Sequence, residues 1–233
     1  RHSDQSFVMV APPSGGGPVT LELSQYKGEM VPSGTMVTNS WTPGANHLLF
    51  CCAGIRGTST PSAHITGVSG NGLTWTKIID EDDTQNVIGM QIWWAKGPSP
   101  SAGAVTLTLS TLTVNIGVQL ISFSGVHSSP IGNVASADTG ASDTATITTS
   151  LVTTANASKV LAFVMNRNNS VSIPGGSIFS AILANQVIDS GGSAGRTSSY
   201  LSSEVTTSGT TVTPSFTISA GDWAIGAVEI KSA

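Results

Sequence analysis

The sequence predicts an all-β chain: an antiparallel, two-sheet β-sandwich of jelly-roll or Greek-key topology, with an extended N-terminal arm. Strand-length apolar runs rich in β-branched and aromatic residues recur along it, most clearly between Ile65 and Val126. Gly, Asn, Pro or Ser bound each run, and the 233 residues include 26 Gly and 11 Pro. Hydrophobic residues make up 39% of the chain, which is enough to build a core.

Two kinds of strand are expected. Some segments alternate, such as Val105–Leu109 and Val212–Ile218, and these predict one buried and one wet face. Pro214 within the second segment predicts an edge strand. Other segments, such as 47–56 and 159–166, are apolar at successive positions and predict central strands. The predicted strands are 19–26, 34–41, 47–56, 73–79, 87–96, 104–110, 115–125, 144–152, 159–166, 178–188, 198–206, 211–219 and 222–231.

Only the segment 178–188 leaves room for a helix as an alternative to a strand. The core is expected to draw on large apolar side chains from many strands. The predicted core residues are Leu49, Phe50, Ile92, Leu107, Leu120, Phe123, Leu161, Phe163, Phe216 and Ile225.

The N-terminal residues 1–18 stand apart from a single sandwich domain that is expected over residues 19–233. The short apolar segment Phe7-Val8-Met9-Val10 is followed by a linker rich in Pro and Gly, which cannot continue a strand or a helix. Two alternatives are open for this arm. It folds back as a strand of its own sandwich, or it crosses to a neighbouring subunit and completes a sheet there by donor-strand complementation.

The two cysteines, Cys51 and Cys52, are adjacent in a predicted strand and should point to opposite faces. A bond between them would be strained, so at least one is expected to be a small core residue. An intermolecular disulfide is the alternative.

A faint internal repeat runs through the chain. The segment 44–54 resembles 154–164, because each has a polar turn with Ala and Asn before a long apolar strand. The segments 118–126 and 224–233 are alike as the closing strand of each half. Two similar halves are typical of a fold built from two Greek-key units.

Several segments resemble a jelly-roll-like β-sandwich domain family that recurs in secreted bacterial proteins and in phage structural proteins. The segments that carry this resemblance are 68–76 (VSGNGLTWT), 92–96 (IWWAK), 103–109 (GAVTLTL) and 122–126 (SFSGV). The resemblance covers most of residues 19–233 and omits the arm. It implies a sandwich fold and a structural or carbohydrate-binding role, and it implies no catalytic residues.

Charged residues are only 9% of the chain, and the net charge is −4 with nine scattered Lys and Arg. Phosphate binding needs clustered cations, so nucleic acid is not an expected partner. No apolar stretch reaches the roughly 18 residues that a membrane span needs. Low charge combined with abundant Ser and Thr favours an extracellular, cell-surface or virion-surface location, and a processed N-terminus at Arg1 would fit export.

The acidic run Asp80-Glu81-Asp82-Asp83 has two interpretations. It is a solvated hairpin turn, or its carboxylates hold a Ca²⁺ ion, because calcium takes several oxygen ligands at one point. No other cofactor is indicated.

The tryptophans suggest a surface on which a glycan could stack. Trp75, Trp93 and Trp94 are the candidates, and Trp93 and Trp94 must face opposite ways on a strand. Burial in the core or at a subunit interface is the alternative. Two N-x-S/T sequons, at Asn156 and Asn168, are candidate glycosylation sites.

No catalytic residues are predicted. The segment 191–195 fits G-x-S-x-G, but a strand pattern follows it and no histidine lies beyond His127, so a nucleophile elbow is not expected. The sequence therefore predicts a non-enzymatic structural subunit that polymerises with copies of itself through its N-terminal strand. The alternative is a carbohydrate-binding or adhesion module, for example a phage tail or decoration protein.

Overall fold

The computed structural model describes residues 17–31, 34–56, 64–83, 88–110, 114–140, 143–167, 169–188 and 195–233. These residues form seventeen strands and no helix, so the predicted all-β class with antiparallel sheets is confirmed. The strands are β1 (Thr20–Val31), β2 (Thr35–Val37), β3 (Leu48–Arg56), β4 (Ile65–Gly70), β5 (Thr76–Asp82), β6 (Ile88–Lys96), β7 (Val105–Leu109), β8 (Val114–Ser124), β9 (Val126–Asp138), β10 (Thr144–Thr148), β11 (Leu151–Val152), β12 (Lys159–Asn166), β13 (Phe179–Ile188), β14 (Gly195–Ser202), β15 (Thr211–Val212), β16 (Ser215–Gly221) and β17 (Trp223–Ser232).

Two five-stranded sheets form the centre of the fold. The first large sheet has the order β1-β8-β3-β6-β5, and the second has the order β13-β14-β12-β17-β9. Smaller sheets accompany them: β2-β7-β4 in the N-terminal half, and the pairs β10-β16 and β11-β15 in the C-terminal half. The sequence predicted two sheets, whereas the described residues form five.

The same strand order occurs in both halves of the chain. Reading each half from its first strand, the large sheets are β1-β8-β3-β6-β5 and β9-β17-β12-β14-β13. The small sheets also correspond, because β7 lies between β2 and β4 while β16 lies between β10 and a bridge at Ser172. The internal repeat noticed in the sequence therefore has a structural counterpart, since β3 matches β12 and β8 matches β17.

Three apolar clusters hold these sheets together. The first joins the first large sheet to β2-β7-β4, and the third joins the second large sheet to the two small pairs. The central cluster joins the two large sheets to each other, with Phe50 and Phe123 in edge-to-face contact and Phe163 from the opposite sheet. Both faces of each large sheet are thus covered, which explains why β3 and β12 are apolar at successive positions.

Glycines allow the two large sheets to approach closely. A Cβ at Gly226 of β17 would lie 2.7 Å from Met90 Cε and 2.9 Å from Ile79 Cδ1 of the opposite sheet. A Cβ at Gly117 of β8, the matching position, would lie 2.8 Å from Ile188 Cγ1. The repeated Ile-Gly pair in β8 and β17 therefore makes room for large side chains of the other half.

The sequence located most of the strands and all ten predicted core residues, each of which is no more than 1% exposed. The segment 178–188 is a strand, so the helical alternative is wrong there. Pro214 lies between β15 and β16, which belong to the two-stranded sheets β11-β15 and β10-β16. Both are edge strands of these sheets, as Pro214 predicted, although an isolated bridge joins β16 to Ser172.

Two strands, β4 and β9, were not predicted from the sequence. In β4, two glycines interrupt the apolar pattern. In β9, Pro130 and many polar residues hide a strand that pairs with β17 through two register shifts. Cys51 and Cys52 do face opposite clusters; both are fully buried and free, and burial raises the pKa of both thiols.

Gly226→Ala is expected to lower the free energy of unfolding by about 1–3 kcal/mol, because the added methyl group overpacks the contact between the large sheets. Gly67→Ala in β4 is the matched control, since a Cβ there meets nothing within 4 Å. Urea unfolding of the two variants measures the difference. Equal stability of the two variants would show that the sheets have room to separate at Gly226.

Candidate functional site

Strand β1 forms an edge of the first large sheet. Among the described residues it pairs with β8 alone, from Thr20 to Val31. The backbone N–H and C=O groups on its other side are not hydrogen-bonded to any described strand. Leu21 and Leu23 lie on this strand and are 37% and 42% exposed. An edge with exposed leucines is a surface on which another strand can add.

A register shift sends these two leucines to opposite faces of the sheet. The pairing with β8 shifts between Leu21 and Leu23, so Leu21 lies opposite Phe123 and Leu23 lies opposite Ser122. Without the extra residue Glu22, positions two apart would share one face. The shift therefore places one exposed leucine on each side of the edge.

Each leucine lines a cavity that has both apolar and polar residues in its walls, with more apolar than polar surface. Leu23 lines a cavity of about 320 Å³ together with Trp41 and Gln25, which we call the Trp41 cavity. Leu21 lines a cavity of about 310 Å³ on the other side, against β13 and β14, which we call the Ile178 cavity. The Ile178 cavity is lined by the apolar residues Leu21, Ile178, Ala181, Ile182 and Leu201 and by the polar residues Lys159, Ser180, Ser202 and Ser203.

The walls of the Trp41 cavity are fixed by buried hydrogen bonds. The indole Nε1 of Trp41 donates to Asn71 Oδ1 at 2.9 Å, and Asn71 Nδ2 donates to the Ser101 carbonyl at 2.8 Å. Asn71 has a φ of 56°, a left-handed conformation that asparagine tolerates. The segment Gly70-Asn71-Gly72 therefore has a structural role, because Asn71 holds Trp41 in place. The sequence analysis did not include Trp41 in a site because no local motif surrounds it.

Side chains of β1 hold the edge strand in place. Tyr26 donates its hydroxyl hydrogen to the Val187 carbonyl of β13 at 2.7 Å, and burial raises the pKa of Tyr26 to about 12. On the opposite face, Gln25 Nε2 donates to the Asn39 carbonyl at 3.1 Å and Lys27 Nζ to the Val37 carbonyl at 2.7 Å. These three bonds attach β1 to β13 on one face and to residues 37–39 on the other. No described strand pairs with its open edge.

The other edges of the two large sheets are more polar or less regular. Strand β9, which matches β1 in the repeat, contains Pro130, whose nitrogen cannot donate a hydrogen bond. Strand β13 has two register shifts and a left-handed residue, Asn185, at φ 54°. Strand β5 carries the acidic run beside Lys77.

The acidic residues do not form a turn. Asp80, Glu81 and Asp82 belong to β5, so alternate carboxylates point to opposite faces. Asp80 bonds to Lys77 and to Gln91, and His64 lies 3.5 Å from Asp80 Oδ1 and 3.4 Å from Asp82 Oδ2. The predicted solvated turn is therefore wrong.

On the other face of β5, Glu81 accepts a hydrogen bond from the Ser136 hydroxyl. Asp83 is buried and accepts a hydrogen bond from the Ile88 amide at 2.9 Å. Within the described ranges, no three His, Cys, Asp or Glu side chains are grouped so that they could hold a metal ion.

Two of the three predicted glycan-contact tryptophans lie in the interior. Trp75 is 7% exposed and Trp93 is 8% exposed; both belong to the first cluster, so neither offers a ring face to a sugar. Trp94 is half-buried against the central cluster, on the opposite side from Trp93 as predicted. Glycan contact stays a prediction for Trp94 alone.

The remaining predicted sites are spread over the chain. Asn156 is exposed in the turn before β12, and its Oδ1 accepts a hydrogen bond from the Ser208 amide at 2.8 Å. Asn168, the arm residues Phe7, Val8, Met9 and Val10, and residues 191–194 of the G-x-S-x-G segment lie outside the described residues. Glycosylation of either asparagine stays a prediction.

One serine and one histidine lie close together. His47 Nδ1 is 3.4 Å from the Ser122 hydroxyl, which resembles the start of a nucleophile–base pair. Ser122 is fully buried in β8, so its hydroxyl is not accessible to a substrate.

Three charged residues, Arg56, Asp222 and Arg167, lie at one end of the contact between the two large sheets, and Arg56 and Asp222 are buried. Arg56 ends β3, and Asp222, which precedes β17, is 1% exposed and accepts a hydrogen bond from Arg167 at 3.2 Å. Burial and the neighbouring Asp143 carboxyl raise the pKa of Asp222, while Arg167 opposes the shift. Burial and Arg167 lower the pKa of Arg56, and Asp222 opposes that shift. The group links the ends of the two large sheets.

The Glu229 carboxylate of β17 is a second buried charge, and backbone amides and a hydroxyl group bind it. Its carboxylate accepts hydrogen bonds from the amides of Asn133, Thr154 and Ala155 and from the Thr154 hydroxyl, at 2.8–3.0 Å. Burial alone would raise the pKa of Glu229, but these hydrogen bonds outweigh it and lower the pKa. Glu229 thereby ties β9 and the loop before β12 to β17.

Comparison of the chain with protein-family models, with curated proteins and with solved structures gives no match. The described residues contain no helix that is long and apolar enough to cross a membrane. The resemblance to the jelly-roll-like family stays a prediction.

Glu229→Gln is expected to lower the free energy of unfolding at neutral pH by about 1–3 kcal/mol, because both carboxylate oxygens accept hydrogen bonds and the NH2 group that replaces one of them cannot accept any. A lowered folded-state pKa means that the Glu229 carboxylate stabilises the fold above the unfolded-state pKa. This stabilisation is lost as the pH falls through the folded-state value.

The gap between wild type and Glu229→Gln should therefore narrow as the pH falls from about 7 to about 3 in urea unfolding experiments. Glu204→Gln, at an exposed glutamate, is the matched control and should leave the pH profile unchanged. A gap that stays constant over this range would show that the Glu229 carboxylate is not the source of the stabilisation.

Proposed function

We propose that this protein is a non-enzymatic structural subunit of an extracellular or surface assembly, a filament or a virion-type component. It polymerises with copies of itself, and its N-terminal arm is the connector. The observation that carries the proposal is an open strand edge with a mainly apolar cavity on each side, in a chain that also has a separate strand-prone apolar segment. Strand addition uses the backbone groups of such an edge for affinity and the cavities for alternate side chains.

The sequence predicted one jelly-roll-like sandwich over residues 19–233, and we propose that each half of this range is such a sandwich. Support comes from the nested antiparallel pairs of the N-terminal half, where β1 pairs with β8, β2 with β7 and β3 with β6. In the C-terminal half, β9 pairs with β17, β10 with β16 and β12 with β14. A folded-over hairpin whose strands divide between two facing sheets would give this nesting.

The surface and the core both favour a structural role. Only 9% of the residues are charged and the net charge is −4, so copies approach without strong repulsion. Buried polar groups such as Glu229 and Asn71 have structural partners, and the serine of the His47–Ser122 contact is buried. These features support a rigid subunit that associates with copies of itself.

Deleting residues 1–12 is expected to leave a folded β-protein that no longer assembles, because the connecting strand is gone. The paired change Phe7→Ser with Met9→Ser should weaken assembly for the same reason, since burying each such side chain contributes about 1.5–3 kcal/mol. Size-exclusion chromatography with light scattering and negative-stain imaging measure the particle size, and circular dichroism checks the fold.

Pro12→Ala with Pro13→Ala is the control, because it alters the linker and leaves the apolar segment intact. Particles of unchanged size from the deleted protein would refute the connector role. A wild-type protein that stays a small species and binds glycans on an array would instead favour the carbohydrate-binding alternative.

A further inference from the structure

The two large sheets have four edge strands, and they differ in how well they could accept a strand. Strand β9 contains a proline and β13 is broken by two register shifts, so neither offers an even row of backbone groups. Strand β5 carries Lys77, Asp80 and Glu81, and charges on an edge discourage pairing. Strand β1 is twelve residues long. Its register with β8 shifts once, between Leu21 and Leu23, and is continuous from Leu23 to Val31. Its charged residues are partnered, because Lys27 pairs with Glu29 and Glu22 accepts a hydrogen bond from the Ser124 hydroxyl.

The surroundings of β1 fit an uncharged, apolar strand. Successive side chains of an added strand point to alternate faces, so one set would meet the Trp41 cavity and the other the Ile178 cavity. The segment Phe7-Val8-Met9-Val10 is apolar at successive positions, with Phe7 and Met9 on one face and Val8 and Val10 on the other. Both faces of this segment would therefore be covered by mainly apolar walls.

Gly17 and Pro18, which precede β1, lie beside Gly125 and Ser232. The Gly17 carbonyl accepts a hydrogen bond from the Ser232 hydroxyl at 3.4 Å, and the Gly17 and Pro18 carbonyls pack against Gly125, the residue that follows β8. These contacts lie on the β8 side of β1, away from its open edge. Residues 17 and 18 therefore continue along β8 and leave the open edge of β1 uncovered.

We infer that the open edge of β1, between the Trp41 and Ile178 cavities, is the acceptor for residues 6–10 of a second copy of this chain. The inference rests on the proposed function and specifies its partner surface. The contact is heterologous, because the arm of one copy meets a different surface of the next, and it propagates as a fibre or closes as a ring.

Charged residues at the acceptor test the inference in the full-length protein. Leu21→Lys with Leu23→Lys should abolish the large particles, since each lysine would place a charge in a mainly apolar cavity that the arm fills. Both leucines are exposed, so the subunit should still fold, which circular dichroism checks. Val134→Lys on β9 is the matched control, because Val134 is 43% exposed on the corresponding edge strand of the other half, and it should leave assembly unchanged.

Disulfide trapping identifies the copy that donates the strand. Single-cysteine variants of the arm, Phe7→Cys, Val8→Cys and Met9→Cys, are mixed with Leu21→Cys or Leu23→Cys proteins and oxidised. The native cysteines are fully buried, so they should not compete. The expected result is a linked dimer on a non-reducing gel. Because alternate arm residues face opposite sides, one of the two leucine positions should link to Phe7→Cys and Met9→Cys, and the other to Val8→Cys.

Two outcomes would overturn the inference, and they differ from failure of the proposed function. Normal particles from the Leu21→Lys/Leu23→Lys protein, while arm deletion still abolishes them, would place the acceptor elsewhere and leave the connector role intact. A disulfide that forms only within a chain carrying both cysteines would show that the arm covers its own edge. Unchanged assembly after arm deletion would refute the proposed function itself.

Discussion

The face-to-face contact of the two large sheets is the constraint on which the rest of the structure depends. It is close because glycines stand where side chains would collide: Gly54 against Met165, Gly117 against Ile188, and Gly226 against Met90. Since each large sheet is covered on its other face by smaller sheets, its middle strands are buried on both sides. The middle strands of the two large sheets therefore have no exposed face among the described residues.

The repeated strand order makes the differences between the halves informative. Strands β1 and β9 hold the same place in their halves, so any contrast between them reflects sequence rather than topology. Strand β9 is mostly polar and contains a proline, which are features that protect an edge from pairing. Strand β1 exposes two leucines beside two mainly apolar cavities. The charged residues of β1 are partnered, since Lys27 pairs with Glu29 and Glu22 accepts a hydrogen bond from Ser124, so the exposed leucines are the main contrast with β9.

Local pattern predicted the strands and the core because both depend on alternation and on apolar runs, as in β7 and β3. It missed β9, where a polar strand is held by its partner β17 rather than by its own propensity. It predicted a turn at Asp80–Asp83 because acids are depleted in strands, whereas Gln91, Lys77 and Ser136 satisfy these carboxylates within the sheet. The Trp41 cavity joins residues distant in sequence through Asn71, so no local pattern marks it.

The energetics of strand addition explain why the cavities matter more than the open backbone. A hydrogen bond between strands replaces one to water, so its net contribution is only about 0.5–1.5 kcal/mol. Ordering each arm residue costs about 1–2 kcal/mol in backbone entropy, so the hydrogen bonds roughly offset that cost and leave little surplus. Affinity must come from apolar side chains that leave water, and β1 has room for them on both faces because the shift at Glu22 turns Leu21 and Leu23 apart. An edge strand without that shift would expose both leucines on one face, and half of an incoming strand would then find no apolar partner.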